Sequence, residues 1–408
     1  MLMLLKSPNK TKLGTTLLVV LVCTLLTFQV IGQNLSQQDW QVHGFLAQGV
    51  INVDGSDFVN DDKTLSAELT EVGINGSFQS FDNLRFTGQA VYLNGGNRYT
   101  NGLRVDYLLA DWSFITNEKW QANLYLGRFK NYHWLYSSTR DVPMTRPSIV
   151  LPQSVYFDGT RDMSVGGDGA ALSVKYFSES WGDFDFNISS GVSPISAEQT
   201  DLIMGRYSKG DLEHNEDLQA SIYWQPSFSN WRFGIAVTDA EFTYEKKGQS
   251  FFSDGTINLN RLYANGEYQA DNWTVSLELL QETMELNGVL YSSFERKTTG
   301  QGGFVQGEYQ LNSQVKLLGR YEHYFSNKDD QHGRKLNKDS YGLVPNYFGY
   351  QHDAVFGITY SLLSNLQLQF EHHWIKGTAR LTPVILPDPS VNDNKYWQIT
   401  AAQLIYWF

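Results

Sequence analysis

The stretch "PSFSNWRFGIAVT", Pro226 to Thr238, shows a turn running straight into a strand. Its first five residues are rich in turn formers. A tryptophan follows, and the chain then alternates. Trp231, Phe233, Ile235 and Val237 fall on one face, with Arg232, Gly234, Ala236 and Thr238 on the other. A period of two with one apolar face is a strand whose two sides meet different media. "NLRFTGQAVY" (83–92), "VQGEYQL" (305–311) and "NLQLQFEHHW" (365–374) repeat the pattern, whereas 64–78 and 103–115 alternate poorly.

Followed along the chain, the pattern predicts sixteen strands. They lie near 39–53, 64–79, 82–93, 103–115, 120–130, 163–176, 182–193, 216–226, 230–243, 256–270, 272–285, 301–312, 314–325, 350–362, 365–376 and 396–408. The connections alternate in length. Short ones ("SFDN", "TNEK", "SESWG", "PSFSN", "ADN", "NSQ", "LLSN") are interleaved with long ones at 54–63, 94–102, 131–162, 194–215, 244–255, 286–300, 326–349 and 377–395. Seven short turns and eight long loops are the count of an up-and-down barrel whose two termini share the short-turn side. That asymmetry marks membrane barrels, and a soluble sandwich has no reason for it. The expected fold class is therefore all-β, a transmembrane antiparallel β-barrel.

The start of the chain agrees. Lys6, Lys10 and Lys12 precede the apolar run "LLVVLVCTLLTFQVIG", which ends at Gly32 before a polar segment. This is the layout of a cleaved secretory signal peptide over 1–32, leaving 33–408 as the barrel. The single cysteine, Cys23, falls inside it, so the exported chain holds itself together without disulfides. Removing three lysines from 31 basic residues leaves 28 against 43 acidic ones, a balance of −15. Nucleic-acid binding wants the opposite sign. No later run approaches the ~20 apolar residues of a membrane helix.

Aromatic residues make up 14% of the sequence. Trp120, Trp181, Trp231 and Trp273 lie at or just after short turns, and Trp407 lies at the chain end, as expected for an interfacial girdle. The chain closes on "QLIYWF", with Phe408, Tyr406, Leu404 and Ala402 on one face. This resembles the terminal strand of Gram-negative outer-membrane proteins, and implies recognition of Phe408 by the barrel-assembly machinery.

A barrel of this size leaves an aqueous lumen. Too little chain precedes the first strand for a folded plug, so a loop must narrow the passage. The third long loop, 131–162, is the longest, and "TRDVPMTRPSIVLPQSVYFDGTRD" (139–162) holds three of the ten prolines. Pro143, Pro147 and Pro152 fix φ and remove donors, which stiffens the loop and keeps it out of the sheet. Ile149, Val150, Leu151, Val155, Tyr156 and Phe157 are apolar enough to dock on an inner wall.

Here the sequence resembles the sixteen-stranded porins of Gram-negative bacteria, whose third loop folds inward. Over 126–162 it looks like a porin group similar to the phosphate-selective porin superfamily. The resemblance implies passage of small hydrophilic solutes or ions, a homotrimer, and contact with outer-membrane lipid and lipopolysaccharide. Arg140, Asp141, Arg146, Asp158 and Arg161 are then candidates for the constriction, where fixed charges act on ions over short distances. The alternative is that the arginines pair with the aspartates and pin the loop.

Wall candidates are Arg85, Arg232, Lys316 and Arg320 on the basic side, with Glu278, Glu282, Glu308, Glu322 and Glu371 on the acidic side. Glu278, Glu282 and Glu308 would form an acidic strip. Phosphate-selective porins carry dense basic arrays; this mixed wall departs from them and puts phosphate selectivity in doubt. His372 and His373 face opposite sides of a strand, which argues against a shared metal. The acidic loop "DGSDFVNDDK" (54–63) lacks EF-hand spacing. No hydrolase elbow, phosphate loop or zinc-protease motif occurs, so no cofactor and no enzymatic activity are expected. A second function class stays open: a non-conducting outer-membrane barrel acting as surface receptor, adhesin or structural anchor, notably through 326–349.

Overall fold

A computed structural model of the chain describes residues 40–60, 64–164, 166–205, 207–392 and 394–408. The expected signal peptide, 1–32, lies outside the described residues. The strands are β1 (Trp40–Asp54), β2 (Thr70–Phe81), β3 (Leu84–Asn94), β4 (Gly102–Thr116), β5 (Trp120–Lys130) and β6 (Gly166–Ser178). Next come β7 (Gly182–Val192), β8 (Gly210–Gln225), β9 (Trp231–Lys246), β10 (Gly255–Gln269) and β11 (Trp273–Asn287). The last are β12 (Glu295–Gln310), β13 (Val315–Phe325), β14 (Tyr350–Leu363), β15 (Leu366–Gly377) and β16 (Tyr396–Trp407). Each pairs antiparallel with its sequence neighbour, and β16 pairs back onto β1 from Phe45–Trp407 to Asp54–Gln398. Closure leaves no sheet edge, the condition for crossing a bilayer with strands.

The alternation in 230–238 now has its two media. Phe233, Ile235 and Val237 are exposed on the outer wall, while Ala236 and Thr238 are buried inside. Trp120, Trp181, Trp231 and Trp273 are exposed beside the short turns, and rings stack along that rim. Trp120 meets Tyr176 at 4.5 Å and Tyr268 meets Trp273 at 4.9 Å. Trp407 does not join them. It sits opposite Phe45, which is buried, and packs with the inward cluster of Val91, Leu93 and Tyr99. Its parity in the strand puts it inside, whereas Leu404 is exposed outside.

Three boundaries shift by six residues, each for a local reason. The strand expected from 64 begins at Thr70. A two-residue bridge, Leu65–Ser66, pairs with β1 first, and Leu69 then turns into the core. Strands β8 and β12 reach six residues further outward than expected, to Gly210 and Glu295. Their outer ends, "GDLEHN" and "ERKTTG", are polar apart from the buried Leu212, and one apolar residue makes no alternation.

Candidate pore site

Residues 131–164 pass through the barrel rather than over it. His133 bonds Ser189 and Ser221 of β7 and β8 at 2.8 and 3.0 Å. Further on, Arg146 reaches Glu71 of β2, and the amides of Ile149 and Val150 donate to Glu371 of β15, both at 2.8 Å. These strands lie on opposite sides of the ring. Only a segment inside the lumen reaches both.

The sequence dictates this course. Pro143 opens a single 3-10 turn to Thr145, and the carbonyl of Pro152 accepts the amide of Tyr156 at 2.8 Å. The loop is thus a chain of tight turns with few free donors. Ile149 and Val150 pack on Ile51, Val53, Ile375 and Ile399 of the inner wall. Leu151, Val155 and Tyr156 pack on Tyr263, Leu280 and Phe304, and the ring of Trp134 stacks on Tyr263 at 4.7 Å. Each such side chain contributes about 1.5–3 kcal/mol relative to exposure in the lumen. Glycine supplies the clearance: a Cβ at Gly302 of β12 would stand 2.9 Å from the Ser154 carbonyl oxygen.

The acidic wall is the loop's socket. Glu278 accepts the Tyr156 hydroxyl at 2.5 Å and the Leu135 amide at 3.2 Å. Glu322 accepts the Ser154 amide at 2.7 Å. Arg320 gives one N–H to the Ser148 hydroxyl at 2.8 Å and another to the Val150 carbonyl at 3.0 Å. Glu282 is held by Arg261, Tyr324 and Arg380, and Glu308 by Lys316 at 2.6 Å. Glu278, Glu282 and Glu308 do share the inward face, but no bare acidic strip results, because each already has a partner. His373 is buried between Asp353 and Glu371, while His372 bonds Thr400 and meets Trp374 on the outer wall, so the two do diverge.

The five loop candidates are brought together and buried. Arg140 is 6% exposed and pairs with Asp158 at 2.9 Å. Arg98, from the preceding loop, meets the other oxygen of Asp158 at 2.8 Å. Arg161, 3% exposed, pairs with Asp141, which also faces Lys130 at 3.3 Å. Arg146, 8% exposed, holds Glu71. Burial pulls the Arg161 guanidinium down to about 10, with Arg104 adding to the fall and Asp162 opposing it. On Asp162, burial pushes the carboxyl up, but Arg104 and Arg161 overcome it and hold it low. Each of the three arginines thus meets a carboxylate, Arg140 on Asp158, Arg146 on Glu71 and Arg161 on Asp141.

Water reaches other charges. Arg85, on β3, pairs with Asp111 at 2.8 Å yet its side chain is 49% exposed. Beside the short turns, a cavity of about 360 Å3 is lined by Lys175, Asp183, Asp185, Tyr223, Arg232 and Glu267. Arg232 lies over the Tyr223 ring at 4.2 Å. Of these, only Arg85 and Arg232 were legible as wall residues. Asp183 and Asp185 belong to "GDFDFNI", which alternates as cleanly as 230–238, so a signal for them existed.

The outer mouth is crowded. From 378–392, Arg380 donates to the Ser154 carbonyl at 3.2 Å, and Asn392 accepts the Ser56 hydroxyl at 3.0 Å. The amides of Val384 and Ile385 both donate to the Ile203 carbonyl at 3.0 Å. Ile203 and Met204, on the helix α1 (Ala197–Met204), join Met163, Phe252 and Ile385 in one apolar cluster.

No family model matches the sequence, and no curated protein matches it. Solved structures do match in fold. In vitro folded OmpT of Vibrio cholerae, in its trimer form, gives a TM-score of 0.55 at 12% identity, over 90% of this chain and 99% of that one. The outer-membrane channel DcaP of Acinetobacter baumannii gives 0.54 at 13%, over 91% and 97%. An anion-selective porin from Comamonas acidovorans gives 0.53 at 10%, over 90% and 99%. The chain therefore has the closed sixteen-strand fold of outer-membrane porins.

Proposed function

We propose that this chain is an outer-membrane porin through which small hydrophilic solutes or ions diffuse passively, with 131–162 narrowing the passage. The observation that carries the reading is a loop pinned across the lumen above an inner vestibule lined with charged, water-accessible side chains. Glu278, Glu322 and Glu371 are engaged in holding the loop, which suits a passage narrowed by it. Purified protein in planar bilayers is expected to give stepwise conductance without an energy source. An ion-tight membrane would sink the proposal.

The homotrimer is supported by the trimer form of one structural neighbour. Contact with outer-membrane lipid and lipopolysaccharide follows from the exposed apolar wall, which needs a bilayer around it. Phe408 exchanges two backbone hydrogen bonds with Gly44, at 3.1 and 3.0 Å, so the residue proposed as the assembly signal also helps close the barrel. One observation favours a second reading. The apolar packing of 197–204, 252 and 385 across the mouth suits a closed barrel serving as receptor, adhesin or anchor.

A further inference from the structure

We propose that the cavity at the outer mouth binds a small anionic solute with an apolar or aromatic body, of the chemical class of benzoate. The proposal deepens the channel reading by naming a solute class and rests on it for its biological meaning. The cavity has about 430 Å3 and lies between the loops 326–349 and 378–395 and the inward faces of β11, β12 and β13. That volume falls within the range of small-molecule sites, ~300–1,000 Å3.

One side is apolar, built from Phe157, Tyr324 and Phe348. Arg296, Lys335 and Arg380 also line it, with Arg380 lying against the rings of Tyr324 and Phe157. Acids also line the cavity, but three of the four are engaged. Glu282 is held by Arg261 and Arg380, Asp330 accepts the amides of Arg334 and Leu336, and Asp388 accepts from Ser390. The fourth, Asp339, is exposed.

The cations keep spare capacity. Arg296 gives one N–H to the Ile385 carbonyl at 3.1 Å and has no carboxylate within ion-pair distance among the described residues. Arg380 is 4% exposed, and its Nε has no hydrogen-bond partner. Its guanidinium lies 3.5 Å over the Tyr324 ring. Thr378 adds a buried hydroxyl without a partner. Guanidinium groups with free donors recognise a carboxylate through charge-assisted bonds. Adjacent aromatic faces recognise a flat apolar body. Inorganic phosphate would satisfy the first group and leave the second wet.

The test is isothermal titration of the detergent-solubilised full chain with benzoate, benzamide and inorganic phosphate, repeated on Arg296→Gln. Arg296 sits at the outer end of β12, and thermal unfolding of the variant checks that it folds. Saturable benzoate binding is expected, with benzamide and phosphate each at least about tenfold weaker, the scale of one lost charge-assisted contact. Arg296→Gln should weaken benzoate by a similar factor. Equal affinity for benzoate and benzamide, phosphate binding as tight as benzoate, or an unchanged Arg296→Gln would each overturn the proposal. Conductance, recorded separately, tells the two ideas apart. Conduction without benzoate binding removes this site, whereas benzoate binding to an ion-tight barrel removes the channel and keeps the site.

Discussion

Arg146 grips both carboxylate oxygens of Glu71, at 3.0 and 2.6 Å, across 75 positions of sequence and from loop to wall. The Nη1 that meets Glu71 also donates to the Arg140 carbonyl at 3.1 Å. A planar fork matched to a carboxylate fixes orientation as well as distance. This pair therefore sets where the middle of the loop sits.

Glu71→Gln should loosen that attachment and leave a buried guanidinium uncompensated, at a cost of roughly 3–5 kcal/mol. The double variant Glu71→Gln with Arg146→Met should recover a large part of it, because the orphaned charge is gone. Denaturant unfolding of the solubilised barrel measures both. Equal losses in single and double variants would mean that the pair does not act as a unit.

Ion discrimination should follow the wet charges, not the buried ones. Arg85→Glu and Arg232→Glu are each expected to move the reversal potential toward cations, by about twofold or more in permeability ratio, since a unit charge near the path is worth ~1 kcal/mol in water. Arg140→Gln and Arg146→Gln should leave the ratio nearly unchanged while altering stability and current noise. Reversal potentials across a salt gradient decide it. A larger shift from the loop pair than from the wall pair would return those arginines to the pore.

Arg380 ties 378–392 to Ser154 and Glu282, and its ring contact with Phe157 is 5.1 Å. Arg380→Ala should free this strap and raise single-channel conductance. Glu282 keeps Arg261, so barrel stability should fall by no more than about 1–2 kcal/mol. Unchanged conductance would place the strap away from the path.

Acid should release the far end of the loop. Burial pushes the His133 imidazole down to about 4, well below its ordinary value, so the neutral ring is the docked form between Ser189 and Ser221. Its contribution is complete above the unfolded pKa near 6.5 and is lost as pH falls toward 4. Channel noise and unfolding midpoint are expected to worsen over that window in the parent chain. His133→Asn should flatten the response; an unaltered pH profile would assign it to other groups.

Much of the barrel is legible without coordinates because each strand states its own two faces. Alternation within 230–238 or 365–374 fixes which side chains meet lipid, and the run of short and long connections fixes the order of pairing. The same local rule fails at 210–215, where Leu212 is the one apolar side chain, and where the chain bulges, at 65–69. It also misreads Trp407, which shares the aromatic character of the girdle but not its parity.

Period, turn chemistry and proline act over a few residues, so the sixteen strands, the stiff apolar third loop and the polar inner wall can be read from the chain alone. The partners of the charges depend on the folded ring. Whether Arg146 faces a solute or a carboxylate depends on where Glu71 stands after the ring closes. A buried charge must find an opposite partner, and that partner is chosen by three-dimensional distance, which no local pattern encodes. The same reason turned Glu278, Glu322 and Glu371 from a pore lining into a socket.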